Sequence, residues 1–265
     1  MRPVGLAHFS AIELGPAELV SAAARAGFAA VGLRLFPAFP GAPCYAVPQG
    51  SRAARDLRRR LDDTGLAVHD IEFVVIDADF RPQTLLPVLE DAAALGARRL
   101  SVCGQDGDRA RLIDSFAALC ALADRIGMGV DLENMGWRPI RALSDSLAVV
   151  RAAGASNGGV LADALHLFRN GATADDLAAV SPPCLRHAQL CDARGPSPLT
   201  DALRMAEARG GRLPPGQGEL PLSAMLTALP PDAHLSVEVP MNGGQDVDAH
   251  LACLMRGARS VLLPA

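Results

Sequence analysis

The sequence predicts a single (β/α)₈ barrel spanning residues 1–265. Three observations predict it. Short apolar runs alternate with longer amphipathic Ala/Leu/Arg/Glu stretches, and the pair recurs eight times in 265 residues, a common length for one such barrel. Strict alternation of this kind implies parallel strands joined by right-handed crossovers. The repeats run on with no second compositional regime, which favours a closed ring over an open sheet. No G-x-G-x-x-G follows the first strand, which argues against a dinucleotide-binding fold.

The elements can be justified in order. Val4–Phe9 is the first strand. Gly15-Pro16 opens the first helix, Pro16–Ala26, with proline in the first turn, and Gly27 stops it. Ala30–Leu35 is the second strand. The Pro/Gly-rich stretch Phe36–Gly50 is then a long loop, which on a barrel lies over the mouth. Ser51–Thr64 is helical. Its Arg55, Arg58, Arg59 and Arg60 are interleaved with Asp56, Asp62 and Asp63 and form a solvated face. "DTGLAV" (Asp63–Val68) carries a glycine stop into the third strand, Ala67–Val75, and Thr84–Leu95 follows as helix. Arg99–Cys103 leads to Arg109–Ile126, and Gly129–Asn134 to Ile140–Ala153, which ends in the glycine of "AAGAS" (Ala152–Ser156). Gly159–Ala164 is followed by Ala174–Val180, and Leu185–Cys191 by helices at Leu199–Glu207 and Leu222–Leu229. His234–Val239 is the eighth strand, and a helix near Val247–Ala258 closes the ring.

Composition narrows the function classes. Half the residues are hydrophobic, a fifth are charged and the net charge is −4. No basic stripe marks a nucleic-acid partner. The six cysteines form no C-x-x-C and read as buried free thiols of a reducing compartment. No signal-peptide pattern and no apolar run of membrane-spanning length is present, so a cytoplasmic protein with no membrane partner is expected.

On such a scaffold the polar residues at strand C-termini carry the information. Strand 5 ends in Asp131-Leu132-Glu133-Asn134, strand 6 in Asp163-Ala164-Leu165-His166, strand 7 in His187-Ala188-Gln189-Leu190-Cys191-Asp192 and strand 8 in Ser236-Val237-Glu238-Val239-Pro240. Glu133, Asp163, Gln189 and Glu238 thus stand at similar heights on four successive strands and could converge on one point. Three carboxylates so placed repel unless one takes up a proton or a cation sits among them. A divalent metal is the simplest answer. Taken singly, each carboxylate could instead pair with an arginine or cap a helix.

With these residues in view, the chain resembles the xylose-isomerase-like barrel superfamily. That superfamily includes sugar and sugar-phosphate isomerases and epimerases and metal-dependent 3-dehydroshikimate dehydratases. The matching segments are "VDLENM" (Val130–Met135), "LADALHL" (Leu161–Leu167), "RHAQLCDA" (Arg186–Ala193), "GRLPPGQGELPL" (Gly211–Leu222) and "LSVEVP" (Leu235–Pro240), with "AARAGFAAVGLR" (Ala23–Arg34) near the start. The resemblance implies that Glu133, Asp163 and Glu238 bind one divalent cation. Most relatives have histidine where this chain has Gln189. An amide oxygen can still coordinate, and an all-oxygen set favours Mg²⁺ or Mn²⁺ over Zn²⁺. Some dehydroshikimate dehydratases share this glutamine. His187, on the same face and deeper, is the alternative ligand, or a satisfied core histidine.

Other residues join the site by the same resemblance. It places His166 beside the metal and substrate oxygens. Arg212, opening "GRLPPGQGEL", would reach into the pocket to grip a carboxylate, phosphate or hydroxyl pair. Asp192 would hold a substrate hydroxyl, orient His166 or cap the next helix. Gly216, Gly218 and Glu219 resemble a structural turn. From strand position alone, Glu72 and Arg34 face the pocket as a salt bridge or as substrate contacts, and His8 stands at the mouth. His69 alternates away from Glu72, so a regular strand cannot point both inward. Phe36, Phe73, Met135, Trp137 and Phe168 are candidate apolar walls.

The implied chemistry is proton transfer at a carbon next to a carbonyl of a small-molecule substrate, with Glu133 and Glu238 as acid/base groups and an enediolate stabilised by the cation. Reprotonation makes an isomerase or epimerase; expulsion of a β-hydroxyl makes a dehydratase of a cyclic hydroxy-ketone such as 3-dehydroshikimate or an inosose. An abasic-site endonuclease on the same fold would need more histidines and a basic groove, and a non-catalytic sugar-binding relative would not need the full ligand set. Relatives suggest a homodimer or homotetramer.

Overall fold

The computed structural model describes residues 2–263. Among these, eight parallel strands close into a barrel in sequence order: β1 (Val4–Leu6), β2 (Ala30–Arg34), β3 (Ala67–Ile76), β4 (Arg99–Gly104), β5 (Gly129–Glu133), β6 (Gly158–Asp163), β7 (Leu185–Leu190) and β8 (His234–Val237). β8 pairs with β1 and shuts the ring. Ten helices surround it: α1 (Pro16–Ala26), α2 (Arg52–Thr64), α3 (Leu86–Ala94), α4 (Arg109–Asp124), α5 (Leu143–Ala153), α6 (Ala164–Arg169), α7 (Ala174–Ala178), α8 (Asp201–Ala206), α9 (Leu222–Ala228) and α10 (Val247–Leu262).

The expected elements are present, with shifts at the strand ends that have local causes. The first strand stops at Leu6, and His8–Ala11 turns as a 3₁₀ segment. Ala164, expected in the sixth strand, begins α6, because the Asp163 carboxylate accepts the His166 N–H and caps a helix there. α8 runs on into a widened turn, Glu207–Gly211, that delivers Arg212. In α2 only Leu57 and Leu61 are buried, so its arginines face solvent as expected. Cys103, Cys120 and Cys191 are buried free thiols, whereas Cys44 is exposed. No helix among the described residues is long and apolar enough to cross a membrane.

The apolar core lies between the outer face of the barrel and the helices, with Phe116, Leu119, Leu57 and Leu89 fully buried against strand residues such as Leu33, Leu100, Val130 and Val160. The barrel interior, by contrast, is polar. Alternation along each strand sends Arg99 and Ser101, Asp131 and Glu133, His187 and Gln189, and Ser236 and Glu238 to one face. They meet there: Arg99 pairs with Asp131, Ser101 Oγ donates to Asp70 at 3.3 Å, and His187 Nε2 lies 3.0 Å from Ser236 Oγ.

One expectation about facing is overturned. The pairing of β2 with β3 jumps from Val31↔Val68 to Gly32↔Asp70, leaving His69 as an extra residue. This bulge resets the alternation. His69 therefore stacks on His234 inside the lower barrel while Glu72 reaches Arg34 above. Gly32 makes room for the acids, because a Cβ there would stand 2.8 Å from an Asp70 oxygen.

The buried Arg99–Asp131 pair generates a stability prediction. Asp131→Ala leaves the guanidinium unpaired in the barrel and should cost about 3–5 kcal/mol, whereas the apolar double replacement Arg99→Met/Asp131→Leu should recover most of it. Urea unfolding of the three proteins checks both.

Candidate metal centre at the barrel mouth

Four side chains from four adjacent strand ends meet at the C-terminal mouth, because the register pairs Asp163 with Gln189 and Gln189 with Ser236, two residues below Glu238. Glu133, Asp163, Gln189 and Glu238 are all buried. Gln189 Nε2 donates to Glu238 Oε1 at 3.4 Å. One ligand atom each from Glu133, Asp163 and His166 fall within 4.8 Å of one another. This group of acids and histidine therefore includes His166 and leaves Glu238 to one side.

Arg212 explains that division. Its Nη1 lies 2.5 Å from Asp163 Oδ2 and its Nη2 lies 3.1 Å from Glu238 Oε2, while Nε donates to the Ala208 carbonyl. Sequence reading expected Arg212 to grip substrate. In the structure its ends are taken by two of the candidate ligands, since a buried guanidinium seeks the nearest carboxylates. Its Nη2 also faces His166 Nε2 at 3.4 Å, so the imidazole accepts there and carries its proton on Nδ1. His166 is held by its own N–H to Asp163, and its ring meets the edge of Trp137 at 5.1 Å between centroids. Burial lowers its pKa to about 4.

The electrostatics suit a cation. Burial pushes the Glu133 carboxyl well above the ordinary carboxylate range, and the charges of Asp163 and Glu238 push it further. Burial raises Glu238 to about 7, against the pull of Arg212. Asp163 sits low: burial opposes ionisation, but Arg212 and His166 outweigh it. One guanidinium thus faces three carboxylates, and the two glutamates are driven to hold protons. A hard divalent ion would relieve that imbalance, and the carboxylate and amide oxygens are the donors it takes.

Glu72 and Arg34 form a buried ion pair at 3.2 Å. Glu72 also accepts the backbone N–H groups of His8 at 2.7 Å and Phe9 at 3.3 Å, so its oxygens are committed to structure. Arg34 lies over the rings of Phe73 and Phe9 and still lines the cavity. His8 is not a mouth group: Nδ1 accepts the Arg34 N–H and Nε2 donates to the Leu14 carbonyl, each at 2.9 Å. Asp192 does not reach His166 or the cavity. Its carboxylate accepts the N–H groups of Ala193, Gly216 and Leu220 and pins the loop that follows Arg212. Gly218 packs on Asp192 and Ala193 too closely for any side chain. His187 bonds Ser236 deep in the barrel and is no mouth ligand.

Above this cluster lies a cavity of about 200 Å³ that Glu133, His166, Arg212 and Glu238 floor. Phe73, Met135 and Trp137 form walls as expected, whereas Phe36 and Phe168 pack on the core. Sequence reading missed Phe9, Ile12, Phe39, Arg138 and Arg209, which complete the lining. The loop at 36–50 does lie over the mouth, through Ala38, Phe39, Ala42 and Pro43. Only the loop's position was a signal for Phe39; nothing in the sequence marked the two arginines.

Known structures share this architecture. The chain covers 98% of itself and 98% of an IOLI protein with a binding zinc atom, at 16% identity and a TM-score of 0.79. A probable 3-DHS dehydratase, AsbF, from Bacillus anthracis matches at 15% identity, 97% and 98% coverage and a TM-score of 0.77. D-allulose 3-epimerase from Methylomonas sp., in complex with D-allulose, matches at 15% identity, 98% and 96% coverage and 0.71. The chain spans only 42% of a xylose isomerase-like TIM barrel/4-hydroxyphenylpyruvate dioxygenase fusion protein, at 21% identity, 98% of its own length and 0.77. At these identities the likeness is one of fold. No curated protein matches the chain. The family model for the xylose isomerase-like TIM barrel matches residues 20–256. The chain belongs to the xylose isomerase-like TIM barrel family.

Proposed function

We propose that the chain is a divalent-metal-dependent isomerase or epimerase acting next to the carbonyl of a small polyhydroxylated substrate, a ketose or sugar phosphate. One observation carries the reading: Glu133 and Glu238, two buried carboxyls delivered by separate strands, face one cavity beside Asp163 and Gln189. Two carboxyls on different sides of one cavity can take a proton from one face of a substrate and return it to the other.

Glu133, Asp163, Gln189 and Glu238 would hold the ion, and their oxygen donors favour Mg²⁺ or Mn²⁺. When bound, it would supply Lewis-acid stabilisation of negative charge on substrate oxygen. The chain's own residues do the rest. Glu238, on β8, takes the proton from the carbon beside the carbonyl. Glu133, three strands away on β5, returns one from the other side. His166, neutral, accepts from Arg212 at Nε2 and keeps its Nδ1–H to donate to a substrate oxygen. Arg212 fixes the Asp163 and Glu238 carboxylates so that neither swings out of line. The aromatic walls and the covering loop exclude water from the carbanionic state.

A second reading, loss of water from a cyclic hydroxy-ketone, has its own support. Gln189 stands where most relatives carry histidine. Arg138 and Arg209 line the cavity, and among the described residues neither is paired with a carboxylate, which suits a substrate bearing an anionic group beside a flat ring. Both fates begin with the same proton abstraction.

Two measurements follow. Glu133→Gln and Glu238→Gln should each lower bound metal, read by atomic absorption, and lower turnover by roughly 10²-fold or more while circular dichroism stays unchanged. Wild-type metal content and turnover in both variants would sink the assignment. Proton NMR in D₂O, with ketoses and their phosphates as one panel and dehydroshikimate and inososes as the other, separates the readings. Deuterium entering beside a ketose carbonyl supports the isomerase or epimerase; new olefinic signals support the dehydratase instead.

A further inference from the structure

The N-terminal end of the barrel, opposite the mouth, holds a second cluster that the proposed chemistry does not use. His69 from β3, His187 from β7 and His234 from β8 bring one ring nitrogen each within 4.8 Å of one another. We propose that these three histidines form a second metal site, of all-nitrogen character, that takes a borderline transition ion such as Zn²⁺, Co²⁺ or Ni²⁺ and ties β3 to β7 and β8 across the floor of the barrel.

The geometry supports this in four ways. First, the polar atoms are unspent. His187 is fully buried, its Nδ1 has no hydrogen-bond partner among the described residues, and neither has His69 Nε2. Leaving such atoms unpaired in the interior is costly and calls for a ligand. Second, two of the rings are aimed by irregular backbone. The extra residue in β3 is His69 itself, and the β6–β7 pairing slips between Val160↔Leu185 and Leu161↔His187, immediately before His187. Bulges re-aim side chains in this way. Third, the nitrogens lie within 4.8 Å of one another, close enough for small ring rotations to bring them onto one ion. Metal–nitrogen bonds of about 2.0–2.1 Å in a tetrahedral site put ligand nitrogens roughly 3.4 Å apart. Fourth, the site has space and a way in. Gly5 leaves His234 its room, since a Cβ there would stand 2.7 Å from His234 Nε2. His69 and His234 also line an open cavity of about 580 Å³ that Leu61, Asp62 and Arg98 share.

The rings of His69 and His234 stack 3.3 Å apart between centroids at 14°, and His187 meets His69 at 72°. Parallel rings do not point their lone pairs at one place, so binding an ion would require His234, half-buried on the cavity side, to turn. Burial holds His69 down to about 2 and His234 down to about 4, so both rings are neutral and keep their lone pairs at pH 7. The nearby Arg99 is already balanced by Asp131. Imidazole nitrogen selects zinc, cobalt, nickel or copper, whereas the oxygen donors at the mouth suit magnesium or manganese, so one chain can hold two different ions without exchange.

The test separates the two ends. Metal-stripped Glu133→Gln/Glu238→Gln protein, whose mouth is disabled, is dialysed against Co²⁺ or Zn²⁺. It should retain one equivalent per chain, show the intense visible bands of nitrogen-ligated Co²⁺ and unfold at a higher temperature with Zn²⁺ than without. His69→Phe or His234→Phe on that background should cut retained metal at least tenfold and abolish the thermal shift. No retained metal in the mouth-disabled protein, or full retention in the histidine variants, overturns the proposal. Should the histidine variants fail to fold, ¹⁵N spectra of the mouth-disabled protein decide it: ring nitrogens of three histidines move on adding Zn²⁺, or they stay and the site is refuted. Failure here leaves the mouth chemistry standing, because its own variants are read separately.

Discussion

Everything in this barrel depends on balancing charge in a dry interior. An ordinary barrel of this class fills its centre with branched apolar side chains. This one lines its inner face with Arg99, Asp131, Asp70, His187, Ser236, Glu72 and Arg34, and then with the carboxylates of the mouth. A lone buried charge costs several kcal/mol, so each must find a partner or give up its ionisation. Arg99 finds Asp131 and Arg34 finds Glu72. Among the described residues Asp70 finds only Ser101, and burial with the neighbouring Glu72 drives its carboxyl well up the scale. The mouth is where compensation stays incomplete, and an active site is where incomplete compensation is expected.

Arg212 sets how incomplete it is. By engaging Asp163 and Glu238 together it keeps one carboxylate ionised and leaves the two glutamates strained toward protonation. The same guanidinium orders the donors before any ligand arrives, a form of preorganisation that costs nothing at the moment of reaction. Its position does not rest on the short, exposed α8. It rests on the widened turn Glu207–Gly211 and on the loop behind it, which Asp192 gathers by the N–H groups of Gly216 and Leu220.

Much of this was legible in the sequence. Strand–helix alternation gave the barrel, and the alternation of side chains along β5 to β8 gave Glu133, Asp163, Gln189 and Glu238 as neighbours, because each stands at the C-terminal end of its strand. What was not legible came from departures from regularity. The bulge at His69 reverses the facing of Asp70 and Glu72, a second irregularity between Ile71 and Val74 shifts it again, and no composition signal marks either. Asp163 both caps α6 and pairs with Arg212, two roles that a strand pattern cannot separate. Asp192 was misplaced for a related reason: a carboxylate two residues past a strand end can turn into the mouth or back to the chain, and the N–H groups of Ala193, Gly216 and Leu220 decide for the chain. The arginines and Phe39 of the cavity come from loops, where periodicity carries no information.

The tie from Asp192 to the Gly216 and Leu220 N–H groups has a consequence for how such a protein can change. One buried carboxylate and the backbone it holds locate the arginine, so the ligand cluster is insulated from much of its own lining. Phe39, Arg138, Trp137 and Arg209 all reach the cavity from segments outside that tie. They form a replaceable ceiling over a fixed floor, and substitutions in the ceiling can retune which molecule enters while the reactive geometry beneath is inherited intact.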